Sequence, residues 1–267
     1  MLLREVEYAK PATVAEAVSL LAANDDARAL AGGQTLINVM KARAASPELL
    51  VDLNGLDDLR AIDLAADGTL TIGAMATYTA IIASAEARAR PILGEVCAQI
   101  ADVQVRNRGT IGGNVCSNDP TNHLPPLLSA IGAEMTIVSG AGERTVLADE
   151  FFLGVYLTAV GPGELLTQIT IPAGKRDVFA AVTLGAEGTC IANAAASVNG
   201  SVRVALGCVD AVPVLVQPAS TDEDAVREAV RGAGITPPTD VHASAAYRSH
   251  LAEVLAVRAV ARAAEGR

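Results

Sequence analysis

The hydrophobic period of this chain changes near residue 55, and that change limits the folds open to it. Before it, helical and strand signals alternate. Thr13-Val14-Ala15-Glu16 has the Ser/Thr-x-x-Glu form of a capping box, whose hydroxyl and carboxylate satisfy N–H groups that a first helical turn leaves free. It precedes the amphipathic run Ala17, Val18, Leu20, Leu21. Residues 27–30 then read as a short buried strand and Gly32-Gly33 as a turn. Residues 36–44 follow as a helix stopped by Pro47, and 49–53 as the next strand. Strands alternating with helices predict a small α/β unit, because helices laid on a sheet bury the apolar faces of both.

Beyond residue 61 the period is two. Ile62, Leu64, Leu70 and Ile72 alternate on either side of Asp67-Gly68, a hairpin signal. Helices are predicted over 77–84 and over 91–101, the second opened by a proline at its start. Residues 106–122 read as a polar, glycine-rich passage, followed by a short helix over 124–131 and a strand over 134–138. A last section carries strand-like runs at 165–171, 178–184, 191–198 and 202–209, with Asn199-Gly200 as a two-residue hairpin turn. Two helices close it, over 223–231 and 244–263, the second with Tyr247, Leu251, Val254 and Leu255 on one stripe. The expected class is α+β in three parts: residues 1–55, 56–162 and 163–267.

Composition removes several function classes. With 20 Lys+Arg against 30 Asp+Glu, the net charge of −10 and the scattered basic residues offer no surface that tracks nucleic-acid phosphates or an anionic membrane. The longest apolar run, 178–198, is broken by Gly185, Glu187 and Gly188, which suit a turn between strands better than a bilayer helix. Arg4, Glu5 and Glu7 interrupt any apolar leader core, so the expected compartment is the cytoplasm. Cys97, Cys116, Cys190 and Cys208 form no CxxC pair, and His123, His242 and His250 do not pair at ligand spacing. The cysteines read as buried free thiols, with no metal site expected in this chain.

Chemistry concentrates in two segments, Leu30-Ala31-Gly32-Gly33-Gln34-Thr35-Leu36-Ile37 and Gly109-Thr110-Ile111-Gly112-Gly113-Asn114-Val115. Each sets a Gly-Gly pair beside small hydroxyl and amide side chains. Glycine lets backbone approach a ligand and turn successive N–H groups inward, which is how an acidic protein binds a phosphorylated cofactor without many Lys and Arg. Neither segment is a Rossmann G-x-G-x-x-G or a Walker A loop. Each taken alone also reads as an ordinary turn, so the residues by themselves reach only a dinucleotide-like ligand.

The two loops together, with Val103-Gln104-Val105-Arg106-Asn107-Arg108 leading into the second, resemble the paired FAD fingerprint of the medium subunit of molybdenum hydroxylases. That family includes aerobic carbon monoxide dehydrogenase and the flavin domain of xanthine dehydrogenase. The resemblance extends through Phe151-Phe152 and Gly163-Glu164-Leu165-Leu166 to Ala246-Tyr247-Arg248. It implies a two-subdomain FAD-binding unit of the PCMH type followed by a C-terminal domain of antiparallel sheet and helices. Residues 31–35 and 110–114 would wrap the FAD pyrophosphate. Asp119 would meet ribityl or ribose hydroxyls, and Leu166 would lie against the flavin. Three positions depart from the family pattern. His123 replaces an aspartate, Thr183 stands for a flavin-proximal lysine, and Ile191 aligns with an aromatic residue that can cover the isoalloxazine. The pyrophosphate end thus reads as intact and the ring end as altered.

The function this implies is electron transfer inside a larger enzyme. A large molybdopterin subunit would oxidise the substrate, and a small subunit with two iron–sulfur clusters would feed FAD in this chain. A quinone, NAD or oxygen would accept the electrons, in a dimer of heterotrimers. No Ser–His–Asp or Cys–His constellation is present in the sequence, which suits a protein whose cofactor carries the chemistry. A free-standing FAD oxidoreductase of the same superfamily and a flavin-free scaffold are the rival readings.

Overall fold

Thr13 caps the first helix as its spacing predicts. In the computed structural model, which describes residues 3–185 and 188–266, its hydroxyl accepts from the Glu16 N–H at 3.1 Å. Glu16 Oε2 reaches back to the Ala12 N–H at 2.7 Å. This helix, α1 (Val14–Ala23), and α2 (Leu36–Lys41) link three parallel strands, β1 (Glu7–Ala9), β2 (Ala27–Leu30) and β3 (Leu49–Asp52), in the order β1-β3-β2. Ala17, Val18 and Leu21 of α1 pack on Val51 of the sheet.

The middle unit begins with β4 (Ile62–Leu64) and β5 (Leu70–Gly73), joined through Asp67-Gly68 with Gly68 at φ +87°. Helices α3 (Tyr78–Ala83), α4 (Ile92–Ala98), α5 (Val103–Arg108), α6 (Ile111–Ser117) and α7 (Leu124–Ile131) follow. Then come β6 (Glu134–Ser139), β7 (Gly142–Leu147), α8 (Ala148–Phe151), the small hairpin β8 (Phe152–Gly154) and β9 (Leu157–Thr158), and β10 (Leu165–Ile171). The expected polar passage is therefore corrected: most of it is the end of α5 and the whole of α6. Side-chain caps make this possible, Asp102 accepting from the Val105 N–H at 2.8 Å and Thr110 from the Gly113 N–H at 3.0 Å.

Strand β10 corrects a second expectation. It stands at the centre of a five-stranded antiparallel sheet, order β4-β5-β10-β6-β7, pairing with both β5 and β6. The change of sheet accordingly falls between Ile171 and Asp177, and not at residue 163. Composition gives no warning, because β10 resembles the strands that follow it.

The last unit is an antiparallel sheet of β11 (Asp177–Thr183), β12 (Cys190–Val198), β13 (Val202–Gly207) and β14 (Val214–Val216), with α9 (Glu223–Gly232) and α10 (Ala245–Ala264). Of the turn expected between β11 and β12, Ala186 and Glu187 lie outside the described residues. All nine residues of β12 are buried. Its alanines permit this, since Ala192, Ala194 and Ala196 receive α10 on one face while Ala195 belongs to the core that contains α7. Helix α7 is buried along its whole length, as an all-round apolar helix must be, with Pro125 and Pro126 in its first turn. Tyr247 is 47% exposed and leaves the expected stripe. The buried face of α10 is instead Leu251, Ala252, Leu255, Ala256, Ala259 and Val260, with Arg248 above them.

Two arginines tie the last sheet to the middle unit. Arg90 and Asp177 form a buried pair, Nε to Oδ2 at 2.7 Å and Nη2 to Oδ1 at 3.0 Å, with side chains 3% and 2% exposed. Arg203 donates to the carbonyls of Ser129 and Ala130 at 2.9 and 3.1 Å, capping the end of α7. No helix among the described residues is long and apolar enough to cross a membrane.

Candidate functional site

The turn after β2 and the turn before α6, remote in sequence, touch. A Cβ built on Gly32 would stand 2.1 Å from the Arg108 carbonyl oxygen and 2.9 Å from Gly109 Cα, so only glycine allows the two backbones this approach. A Cβ on Gly113 would stand 3.6 Å from that of Ala31.

The loops differ in what their backbones have left to offer. From Ile111 to Asn114 every N–H has a protein acceptor. Ile111 donates to the Ala76 carbonyl at 3.0 Å, Gly112 to that of Ala74 at 2.9 Å, Gly113 to Thr110 Oγ1 at 3.0 Å and Asn114 to the Thr110 carbonyl at 3.0 Å. These amides are committed to the fold, against the expectation that both loops turn N–H groups toward an anion. Gly112 is there because Ala74 is: a Cβ on it would stand 2.6 Å from the Ala74 carbonyl oxygen. In the first loop, among the described residues, the N–H groups of Gly32, Gly33, Gln34 and Thr35 meet no protein acceptor. Gly33, at φ +72°, turns the run. Successive unspent amides of this kind make a concavity for an anion.

Gly32, Gly33 and Gln34 line an open cleft of about 410 Å³, together with Leu30 and Ala31, with Tyr8, Asp52 and Asn54, and with Lys41 and Arg108. One network holds the wall in place. Asn54 Nδ2 donates to the Ala31 carbonyl at 3.0 Å and to Asp52 Oδ1 at 2.6 Å, and Asp52 Oδ2 accepts from the Tyr8 hydroxyl. Burial works to raise the Asp52 carboxyl, but the hydrogen bonds from Tyr8 and Asn54 outweigh it and hold the group below its ordinary value. The same bond raises the Tyr8 phenol. Behind the second loop, Asn114 Nδ2 donates to the Tyr78 hydroxyl at 3.0 Å, while Asn114 Oδ1 is buried without a partner. Burial raises the Tyr78 phenol well above its usual value.

The structure thus brings Leu30, Ala31, Gly32, Gly33, Gln34, Thr35 and Leu36 together with Thr110, Ile111, Gly112, Gly113 and Asn114. The other expected contacts lie elsewhere. Asp119 accepts from the Thr121 N–H at 2.9 Å and from the Tyr156 hydroxyl at 3.2 Å. His123 is buried and packs on Phe179 of β11 with ring centroids 5.2 Å apart, and burial lowers its pKa to about 4. Leu166 is 3% exposed in the core of the middle unit. Thr183 closes β11 and donates to the Gly185 carbonyl at 2.9 Å. Ile191 is 4% exposed in the core of the last unit, where it packs with α10.

Sequence reading missed Tyr8, Lys41, Asp52, Asn54 and Arg108. A signal for Asp52 and Asn54 existed, because Asp52 ends β3 and Asn54 follows it at the carboxyl end of a parallel sheet, where α/β units place their ligands. Lys41 gave none, being the last residue of a short helix, whereas Arg108 ends the run 103–108 that leads into the second glycine loop.

Comparison with known proteins adds to this geometry. The family described as "FAD binding domain in molybdopterin dehydrogenase" matches residues 4–174. The carbon monoxide dehydrogenase medium chain of Afipia carboxidovorans is 39% identical, with 96% of each chain covered. Among solved structures, a reconstituted CO dehydrogenase from Oligotropha carboxidovorans superposes with a TM-score of 0.92 at 35% identity, covering 100% of both chains. The quinoline 2-oxidoreductase from Pseudomonas putida 86 does so with a TM-score of 0.91 at 32% identity, covering 100% of this chain and 99% of that one.

Proposed function

The chain belongs to the family of FAD-binding domains of molybdopterin dehydrogenases, and we propose that it is the electron-transfer subunit of a heterotrimeric molybdenum hydroxylase. A large partner would carry the molybdopterin cofactor and a small partner two iron–sulfur clusters. An external acceptor (a quinone, NAD or oxygen) would take the electrons, and two heterotrimers would pair. The observation that carries the reading is the run of unspent amides from Gly32 to Thr35 beside a cleft that also presents Lys41 and Arg108.

The residues present fit FAD. The amide run and the two cations suit a pyrophosphate. Asp52, held ionised by Tyr8 and Asn54, suits sugar hydroxyls, and Asn114 Oδ1 is a buried acceptor still lacking a donor. Bound there, FAD supplies a centre that takes up and releases electrons. What the chain supplies is binding and orientation, so neither a nucleophile nor a general base is required of it. At the flavin end we place Asp119 and Thr183, both half-buried polar groups. His123 and Leu166 then shape that region from within the core.

The test is purification from the native host under gentle conditions, with a visible spectrum and a gel of what co-purifies. A flavin spectrum overlaid by iron–sulfur absorbance, with one larger and one smaller companion chain, is the expected result. A flavoprotein without companions would favour a free-standing oxidoreductase, and a colourless chain that takes up no added FAD would overturn the reading.

A further inference from the structure

We propose that Cys190 and Cys208 form an oxidisable dithiol, a site at which a hydroperoxide converts two buried thiols into a disulfide. Cys190 is the nucleophile and Cys208 the resolving thiol. The inference goes beyond the functional reading above and stands whether or not that reading holds.

The first support is placement. Cys190 opens β12, Cys208 follows the neighbouring strand β13, and both are buried. Asn193 Nδ2 donates to both sulfurs at 3.5 Å, so one amide holds the two thiols together. Gly207 makes room for that amide, because a Cβ on it would stand 2.4 Å from Asn193 Oδ1. Cys208 itself stands at φ +64°, a left-handed conformation uncommon for a residue with a Cβ, and such strain persists only where the surroundings hold it. Arg248 of α10 supplies one such restraint: its Nη1 donates to the Cys208 carbonyl at 3.2 Å and also to the Ile191 carbonyl.

The second support is charge. The same arginine, 3% exposed, brings its guanidinium to the pair, and among the described residues its Nε is buried without a partner. Asp240 engages only Nη2, at 2.6 Å. A hydrogen bond from the Cys208 thiol is the chief influence on Cys190. Burial opposes it, but Asn193, the Arg248 charge and the Ala192 N–H act with it, and together they hold Cys190 below its ordinary value. The Cys208 thiol, as donor, is pushed up by that bond and by burial. Cys97 and Cys116 show what burial does alone, each rising to about 12 with nothing to oppose it. One pair is thus poised as thiolate and donor, and the other two thiols are inert.

The third support is the balance and setting of the step. The Cys190 thiolate attacks one peroxide oxygen: an S–O bond forms, the O–O bond breaks, and the departing hydroxide takes up a proton to leave as water. A sulfenic acid remains on Cys190. The Cys208 sulfur then displaces its hydroxyl, which leaves with the Cys208 proton as a second water. Two thiols and one peroxide become a disulfide and two waters, the sulfurs losing the two electrons that the peroxide gains. Cys208 lines a small pocket with Asp119, which gives a molecule as small as hydrogen peroxide its approach. Cys190 has Thr183 as its register partner on β11, so the new bond lies between the two groups we place at the flavin end.

The experiment treats the full chain with hydrogen peroxide under native conditions, alkylates the remaining thiols and maps the products by peptide mass. A Cys190–Cys208 linkage should form at least about tenfold faster than oxidation at Cys97 or Cys116, because the rate follows thiolate character, and dithiothreitol should reverse it. In Cys208→Ser, dimedone should trap a sulfenic acid at Cys190, and in Cys190→Ser, Cys208 should stay reduced. Oxidation of all four cysteines at one rate, or consumption of Cys190 and Cys208 without a linkage between them, would overturn the proposal. The parent chain alone decides this, even where a serine variant does not fold. Flavin content plays no part in the readout, so failure here leaves the functional reading untouched.

Discussion

Replacing Gly32 by alanine tests the contact on which the whole site depends. The new methyl would stand 2.1 Å from the Arg108 carbonyl oxygen and 2.8 Å from its carbonyl carbon, whereas real Cβ contacts stay beyond 3.0 Å, so the loops must part by about 1 Å. Both clashing atoms are backbone, and no side-chain rotation can relieve them. Overpacking of this kind costs about 1–3 kcal/mol, which in a chain of this size lowers the melting temperature by roughly 2–4 °C for each kcal/mol. The same displacement carries Arg108 away from the first loop. Parting the two loops between which FAD is proposed to bind should weaken its binding about tenfold. Gly140→Ala is the control, because nothing stands within 4 Å of a methyl there. Melting followed by circular dichroism and FAD titration of both variants provide the readouts. If Gly32→Ala matched Gly140→Ala in both, the close approach of the loops would be refuted.

Three further outcomes are expected. Asp177→Asn should destabilise the chain by about 3–5 kcal/mol in chemical denaturation, because it leaves the Arg90 guanidinium buried without its counter-charge; a loss under 1 kcal/mol would show that this joint contributes little. Tyr78→Phe removes the partner of Asn114 Nδ2 when Oδ1 already lacks one, and should cost about 1–3 kcal/mol and loosen bound FAD. Equal melting curves and equal FAD affinity would contradict it. His123, held neutral by burial with a pKa of about 4 against an ordinary 6.5, binds its proton more readily in the unfolded chain. Stability linked to it is present above pH 6.5 and is lost as the pH falls toward 4, by roughly 3 kcal/mol in all. In His123→Leu, the urea midpoint should fall less between pH 7 and pH 4.5 than in the parent, and parallel curves would refute the assignment.

Local signals were legible in the sequence wherever one residue type has one physical use. Thr13 and Glu16 announce a helix start, Asp67-Gly68 and Asn199-Gly200 announce hairpins, and each does so in the structure. Helices α5 and α6 were obscured because their caps, Asp102 and Thr110, stand among glycines and polar residues that equally describe a loop. Strand β10 was legible as a strand but not as a member of the middle sheet, since its partners β5 and β6 are distant in sequence and nothing in Leu165–Ile171 names them. Tyr247 failed for a related reason. Helical spacing fixes which residues share a face, but the sheet beneath α10 decides where that face ends, and it ends at Arg248.

The site divides along the same line. Glycine pairs can be read from sequence because their rarity of form signals a backbone constraint, yet the constraint itself has several physical origins. At Gly32 it is the approach of a second chain segment, at Gly112 the floor provided by Ala74, and at Gly33 a left-handed turn. None of the three, taken singly, is contact with a ligand. A ligand enters only when backbone donors remain after the protein has satisfied its own acceptors, and that remainder is a property of the folded chain. It is zero from Ile111 to Asn114 and four successive amides from Gly32 to Thr35. Two motifs of equal appearance thus differ in the backbone donors they leave over, a difference that no count of glycines in the sequence reveals.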